Sequence, residues 1–150
     1  MTPPGTGPMG KPATLHHVGL VVPDLEAAMA EMTRLLGLQW TAPQERPDGE
    51  RTLRVAFSTT EPRIELIQGN PGGTWSVDEG PRLDHMAFWI EDFEATAAAA
   101  SNMALDREAG GTASWGGRWA YVRSRDTGAR IELCDARGQE HFAKTWGFDR

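Results

Sequence analysis

The chain has one cysteine, Cys134, so no disulfide can form within it and zinc sites built from several thiolates are excluded. It also has no excess of basic residues: 21 acidic side chains face 15 basic ones, a net charge of −6. A nucleic-acid partner is thereby excluded, because no surplus of lysine and arginine supplies the counterion-release contribution. No apolar run approaches the roughly 20 residues that cross a bilayer, and the first residues lack the basic-then-apolar pattern of a signal peptide. These absences predict a soluble, cytoplasmic protein without a membrane partner.

What is present is enough for one globular domain. A chain of 150 residues, 39% apolar and 24% charged, has an ordinary globular composition and buries roughly 68–70% of its unfolded surface. Residues 1–13 are the exception. Their four prolines and three glycines, with little that is apolar beside them, cannot offset the entropy of ordering and predict a disordered tail.

The main feature of the remainder is a duplication. Leu15, His17, Asp24, Glu26 and Ala27 recur in register as Leu83, His85, Asp92, Glu94 and Ala95. Arg63-Ile-Glu-Leu66 returns as Arg130-Ile-Glu-Leu133, and Arg54-Val-Ala-Phe57 has its counterpart in Arg118-Trp-Ala-Tyr121. Each copy therefore holds a histidine and, at nearly equal distance downstream, a glutamate.

Both copies read as strand, helix, strand, strand, strand. In the first, Leu15 to Val22 alternates as a half-buried strand and Asp24 caps a helix that ends at Gly37. Gln39 to Ala42 reads as a short strand, Pro43 to Gly49 as a turn, and Thr52 to Ser58 and Arg63 to Gln68 as strands. In the second, Asp84 to Ile90 is a strand, Asp92 caps a helix to about Met103, and Leu105 to Arg107, Trp119 to Arg123 and Ala129 to Cys134 are strands. The glycine-rich run Glu108 to Gly117 reads as a mobile flap or a plain loop. The organisation expected is a single domain over 14–150: module 1 over 14–69, a linker over 70–82, module 2 over 83–135 and a C-terminal tail over 136–150 carrying Phe142, Trp146 and Phe148.

If the two modules form curved sheets that face one another about a pseudo-twofold axis, His17, Glu65, His85 and Glu132 converge. Two imidazoles and two carboxylates suit one divalent ion of intermediate softness, such as Fe, Mn, Co, Ni or Zn. Four protein donors on an octahedral ion leave two adjacent positions open, as in a catalytic site. A lone strand histidine is more often a core residue, and a strand glutamate more often faces solvent. Here both pairs sit in register with the repeat, and each glutamate interrupts an apolar strand whose other residues favour burial. His16, pointing away from His17, is expected to be structural, and His141 lies outside both repeats. Of the six tryptophans, Trp115 and Trp119 are candidates for lining a substrate pocket.

The stretches His17-Val-Gly-Leu-Val-Val-Pro-Asp-Leu-Glu-Ala, Arg63-Ile-Glu-Leu-Ile, Leu83-Asp-His-Met-Ala-Phe and Arg130-Ile-Glu-Leu resemble the vicinal oxygen chelate superfamily of glyoxalases, bleomycin-resistance proteins and dioxygenases. The resemblance runs from Leu15 to Asp135. It implies an α+β fold of two tandem βαβββ modules forming a curved mixed sheet around a metal-lined cup, with His17, Glu65, His85 and Glu132 on the four ligand positions. In layout the chain is most similar to methylmalonyl-CoA epimerase and glyoxalase I, although the epimerase usually has glutamine where this chain has Glu65, and its second base has no clear counterpart beyond the unanchored Glu45. The resemblance implies a metal-dependent isomerase, epimerase or lyase whose small-molecule substrate chelates the ion through two vicinal or 1,3-related oxygens and reacts through an enediolate. Glu132 or Glu65 is the candidate base, and Arg54, in a motif shared with the epimerase, is a candidate substrate-binding residue. A homodimer is expected, since pairing modules between chains builds the same cup. Alternatives are a ring-cleaving dioxygenase, a specialised natural-product or aromatic-substrate metalloenzyme, and a drug-binding resistance protein.

Overall fold

The computed structural model describes residues 11–148. Of the expected tail only Lys11 to Ala13 fall among the described residues, and they are exposed; the rest of it lies outside them. The described chain forms two compact units, one of residues 11–16 with His85–Thr145 and one of His17–Asp84 with residues 146–148.

In the first half of the chain, strand β1 (Thr14–Val22), helix α1 (Leu25–Leu36) and strands β2 (Gln44–Asp48), β3 (Arg51–Phe57) and β4 (Arg63–Gln68) form a βαβββ module. Its sheet runs β2-β3-β4-β1, with β1 parallel to β4 and the other pairs antiparallel. The helix begins where expected: Asp24 accepts a hydrogen bond from the Ala27 amide at 2.9 Å, and Glu26 adds negative charge to the first turn. It ends at Gly37, whose φ of 72° is left-handed and whose amide donates to the Thr33 carbonyl. Leu25 from α1 packs with Val22, Ala56 and Leu66 from the sheet, and Met29, Met32 and Trp40 close the edges of that core. The Trp40 indole donates to the Met29 carbonyl at 3.2 Å and the Thr33 hydroxyl at 3.1 Å.

Two expectations for this half are corrected. Gln39 to Ala42 is not a strand; only Trp40 bridges to Ser58. The strand is instead β2, in the segment expected to turn. Its alternation is carried by polar residues, with Gln44, Arg46 and Asp48 half-buried and Glu45 and Pro47 exposed, so a search for apolar periodicity misses it. Pro47 is tolerated because β2 is paired in this module only with β3. Past β4 the glycine-rich connection is held by arginines: Arg51 donates to the Pro71 carbonyl, and Arg82 to the Thr74 and Ser76 carbonyls and to Asp84.

The second half repeats the plan with β5 (Arg82–Ile90), α2 (Phe93–Asn102), β6 (Asp106–Thr112), β7 (Arg118–Arg123) and β8 (Arg130–Asp135). The sheet order is β5-β8-β7-β6, and again the first and last strands of the module are parallel. Asp92 accepts from the Ala95 amide at 2.9 Å. Phe93 packs with Ile90, Ala120, Val122 and Leu133, and Ala97 and Ala100 extend that contact along the helix. Half of the run expected to be a flap or loop is strand, since β6 pairs with β7 as far as Thr112 and residues 113–117 turn. Close packing bears on two of its glycines: a Cβ on Gly111 would press the Trp119 ring at 3.3 Å, and one on Gly117 would run into the Trp115 ring.

After β8, Asp135 accepts from the Arg137 amide at 3.0 Å and opens a 3₁₀ turn, Ala136–Gly138, which leads into α3 (Gln139–Trp146). No helix among the described residues is long and apolar enough to cross a membrane.

Leu66 is fully buried, so Leu66→Ala is expected to destabilise the fold by about 2–5 kcal/mol in urea unfolding, through lost transfer energy and the cavity left behind. Asp135 titrates below its ordinary value, chiefly because Arg137 hydrogen-bonds its carboxylate. Its contribution is therefore present above the unfolded pKa of about 4 and is lost as pH falls through the lower folded value. Denaturation midpoints measured across that acidic range are expected to fall less steeply in Asp135→Asn.

Candidate functional site

Strand alternation decides which side chains share a face. In the first module Gly19 lies opposite Glu65 and His17 opposite Arg63, while Leu20, Val22, Ile64 and Leu66 turn to α1. Phe57 is paired with Glu65 from the other side. The face away from α1 therefore gathers His17, Glu65 and Phe57. His17 Nε2 stands 3.7 Å from Glu65 Oε2, and the Phe57 ring meets the imidazole edge-on at 5.3 Å.

The second module builds the same group. Ala87 lies opposite Glu132, and Tyr121 is paired with Glu132 from the other side. His85 Nε2 stands 3.4 Å from Glu132 Oε2, with the Tyr121 ring perpendicular to the imidazole at 5.2 Å. Both histidines are buried, His17 to 3% and His85 to 1% residual exposure. The two glutamate side chains keep 13% and 15%.

These nitrogen–oxygen separations suit donors that share an ion. With metal–ligand bonds of about 2.0–2.2 Å, neighbouring donors of one ion stand roughly 3.0–3.6 Å apart. One pair falls inside that range and the other just beyond it. In each module the residue beside the glutamate on the parallel strand is small, Gly19 or Ala87.

The other residues singled out from sequence take varied places. Trp119 shares the Tyr121 face of β7, lies edge-on to that ring at 6.0 Å and covers Gly111. Trp115 sits in the β6–β7 turn with its ring over Gly117 and Gly138, stacked on His141 at 5.8 Å. Arg54 projects from the opposite face of β3 to Phe57 and forms a two-pronged pair with Glu26, one prong at 3.0 Å. Arg118 repeats this arrangement with Glu94. Glu45, paired with Arg54 in register, shares that helix-side face. His16 stacks on Trp89 at 3.9 Å and meets Phe142 edge-on at 4.5 Å.

Three residues of these faces escaped the sequence reading. Phe57 and Tyr121 hold the imidazoles, and their equivalence was visible in the repeated Arg-x-Ala-aromatic motif. Arg130 lies behind Tyr121 with its guanidinium 4.0 Å above the ring and donates to Glu108 at 2.9 Å. Glu108 also accepts from Arg123 at 2.7 Å, and these two bonds, the one from Arg123 foremost, hold its carboxyl below the usual range.

Residues 16–121 match the glyoxalase/bleomycin resistance protein/dioxygenase superfamily, and the chain belongs to it. Among curated proteins it is similar to the ethylmalonyl-CoA/methylmalonyl-CoA epimerase of Cereibacter sphaeroides, 34% identical over 86 residues, or 54% of this chain and 63% of that protein. The match thus spans just under two thirds of the relative's length. Among solved structures it resembles methylmalonyl-CoA epimerase from Mycobacterium tuberculosis, with a TM-score of 0.61 and 22% identity over 81% of this chain and 87% of that one. It also resembles a variant of the Streptomyces coelicolor epimerase in complex with 2-nitronate-propionyl-CoA, with a TM-score of 0.64 and 20% identity over 83% of this chain and 99% of that one. The architecture of paired βαβββ modules is the vicinal oxygen chelate fold.

Because Arg130 is only 6% exposed and bonds to a charged partner, Arg130→Met is expected to cost about 1.5–3 kcal/mol of unfolding free energy in urea titrations. An unchanged midpoint would show that Glu108 and Tyr121 do not depend on it.

Proposed function

We propose that this protein is a divalent-metal-dependent enzyme of the epimerase and glyoxalase type, with His17, Glu65, His85 and Glu132 holding one ion. The observation that carries the reading is the duplicated pair: a buried histidine and a nearly buried glutamate on the face away from each helix, 3.4 Å apart in the second module and 3.7 Å in the first. Two carboxylates offset the charge of a divalent cation, and two imidazoles suit Fe, Mn, Co, Ni or Zn. When bound, the ion supplies Lewis-acid polarisation of a carbonyl oxygen whose neighbour is a second oxygen of the same substrate.

The chain's own residues then have separate tasks. Phe57 and Tyr121 fix the imidazole planes. Glu132 or Glu65 takes the proton from the carbon next to the carbonyl and returns it to the same or the adjacent carbon, giving epimerisation or isomerisation. Trp119 supplies an apolar wall on the Glu132 face. Substrates consistent with the related epimerase are acyl-CoA thioesters bearing an α-carboxylate, and α-hydroxy carbonyl compounds follow from the same chemistry. A cytoplasmic homodimer belongs to this reading, and light scattering on the eluted protein tests the dimer.

Elemental analysis of the purified protein is expected to find one divalent ion per chain, and two ions would mean that each pair binds its own. Incubation with methylmalonyl-CoA in deuterated water is expected to place deuterium at the α-carbon, with exchange abolished by a chelator and lowered at least a hundredfold in Glu132→Gln. Undiminished exchange in that variant would remove the base assignment to Glu132, and no exchange by the wild type with any candidate carbonyl compound would remove the enzymatic reading.

A further inference from the structure

We infer that Arg46 is a specificity-determining residue that receives an anionic oxygen group of the substrate beside Glu65. The inference rests on the reading of Glu65 as part of the substrate-chelating site, and it adds the charge that the substrate must carry next to its chelating oxygens.

The register of three strands places Arg46 on that face. Arg46 is opposite Leu53 across β2 and β3, and Leu53, Val55 and Phe57 alternate onto the side where Phe57 meets Glu65. Its charge interacts with that of Glu65, while burial pulls the guanidinium below its usual pKa. Glu65 opposes that effect, and where Glu65 is engaged in chelation a second anion on the same face stabilises the guanidinium. Among the described residues none donates or accepts a hydrogen bond with the Arg46 guanidinium except Gln44, whose side-chain oxygen accepts from Nη2 at 2.9 Å. Among the described residues no carboxylate is in ion-pair contact with it, in contrast to Arg54 and Arg118, which are paired with Glu26 and Glu94.

The guanidinium is nonetheless held in place. It lies over the Trp146 ring at 4.8 Å from the centroid, and that ring is buried and packs edge-on against Phe57 at 4.8 Å. Phe57 in turn positions His17. The planar fork is thus oriented by an aromatic platform, and since Gln44 takes only one of the two Nη2 hydrogens, the other remains, with its neighbouring Nε–H or Nη1–H, to bind two oxygens of one carboxylate. A compound with a carboxylate next to its carbonyl satisfies both Arg46 and the chelating residues, whereas a neutral amide or ester satisfies only the latter.

The test uses the full-length, metal-loaded protein with malonate and neutral malonamide as probes in titration calorimetry. Arg46→Met is expected to weaken malonate binding about tenfold or more while leaving malonamide binding and metal content unchanged, and Arg46→Lys is expected to retain part of the preference. A merely structural role for Arg46 would move both probes together. Equal malonate affinity in wild type and Arg46→Met, or a parallel loss for both probes, would overturn the inference. Failure of the metal-site reading is seen separately, as wild-type protein that takes up no ion; the malonate difference between wild type and Arg46→Met is then read on the metal-free protein.

Discussion

The parallel pairing of the first and last strands in each module is the constraint on which the rest depends. It sets Gly19 beside Glu65 and Ala87 beside Glu132, and strand alternation then sends histidine and glutamate to the face that the helix does not cover. Moving either glutamate by one residue would exchange it with a core leucine or isoleucine. The register is held by that penalty: Leu66 and Leu133 must remain under α1 and α2, and burying a carboxylate among apolar side chains without a partner costs several kcal/mol. The helix-facing core therefore positions the polar face as a consequence of its own packing.

Duplication gives both modules the same solution to a second problem, how to hold an imidazole still. In each, the aromatic residue paired with the glutamate from the neighbouring antiparallel strand meets the histidine edge-on, Phe57 for His17 and Tyr121 for His85. The supports behind those rings have diverged. Phe57 is backed by Trp146 and, beyond it, Arg46, whereas Tyr121 is backed by Arg130, itself neutralised by Glu108. The second arrangement is internally paired. The first leaves Arg46 bonded to Gln44 and stacked on Trp146 without a carboxylate partner among the described residues, so the duplicated scaffold is asymmetric here.

The arginines separate into two kinds by what faces them. Arg54 and Arg118 reach across to the first turns of α1 and α2, where Glu26 and Glu94 already complement the helix dipole. The repeat showed these four residues as clearly as it showed the histidines, and reading them as a mutually paired set would have placed Arg54 on the helix side. Arg46 belongs to no repeat and lies in a strand without apolar periodicity, so nothing in the local pattern marks it.

What the sequence determined by itself was everything carried by periodicity, capping and repetition. That includes the two modules, the helix starts at Asp24 and Asp92, the end of α1 at Gly37, and the matched histidine and glutamate in each copy, since these follow from local backbone preferences and from comparing the chain with itself. The tertiary structure alone decided which polar segments become strands: β2 and most of β6 are induced by a neighbouring strand, through backbone hydrogen bonds that composition does not encode. It alone also decided that Trp146, far along the chain, would lie between Phe57 and Arg46, because contacts of long sequence separation are chosen by packing and leave no local trace.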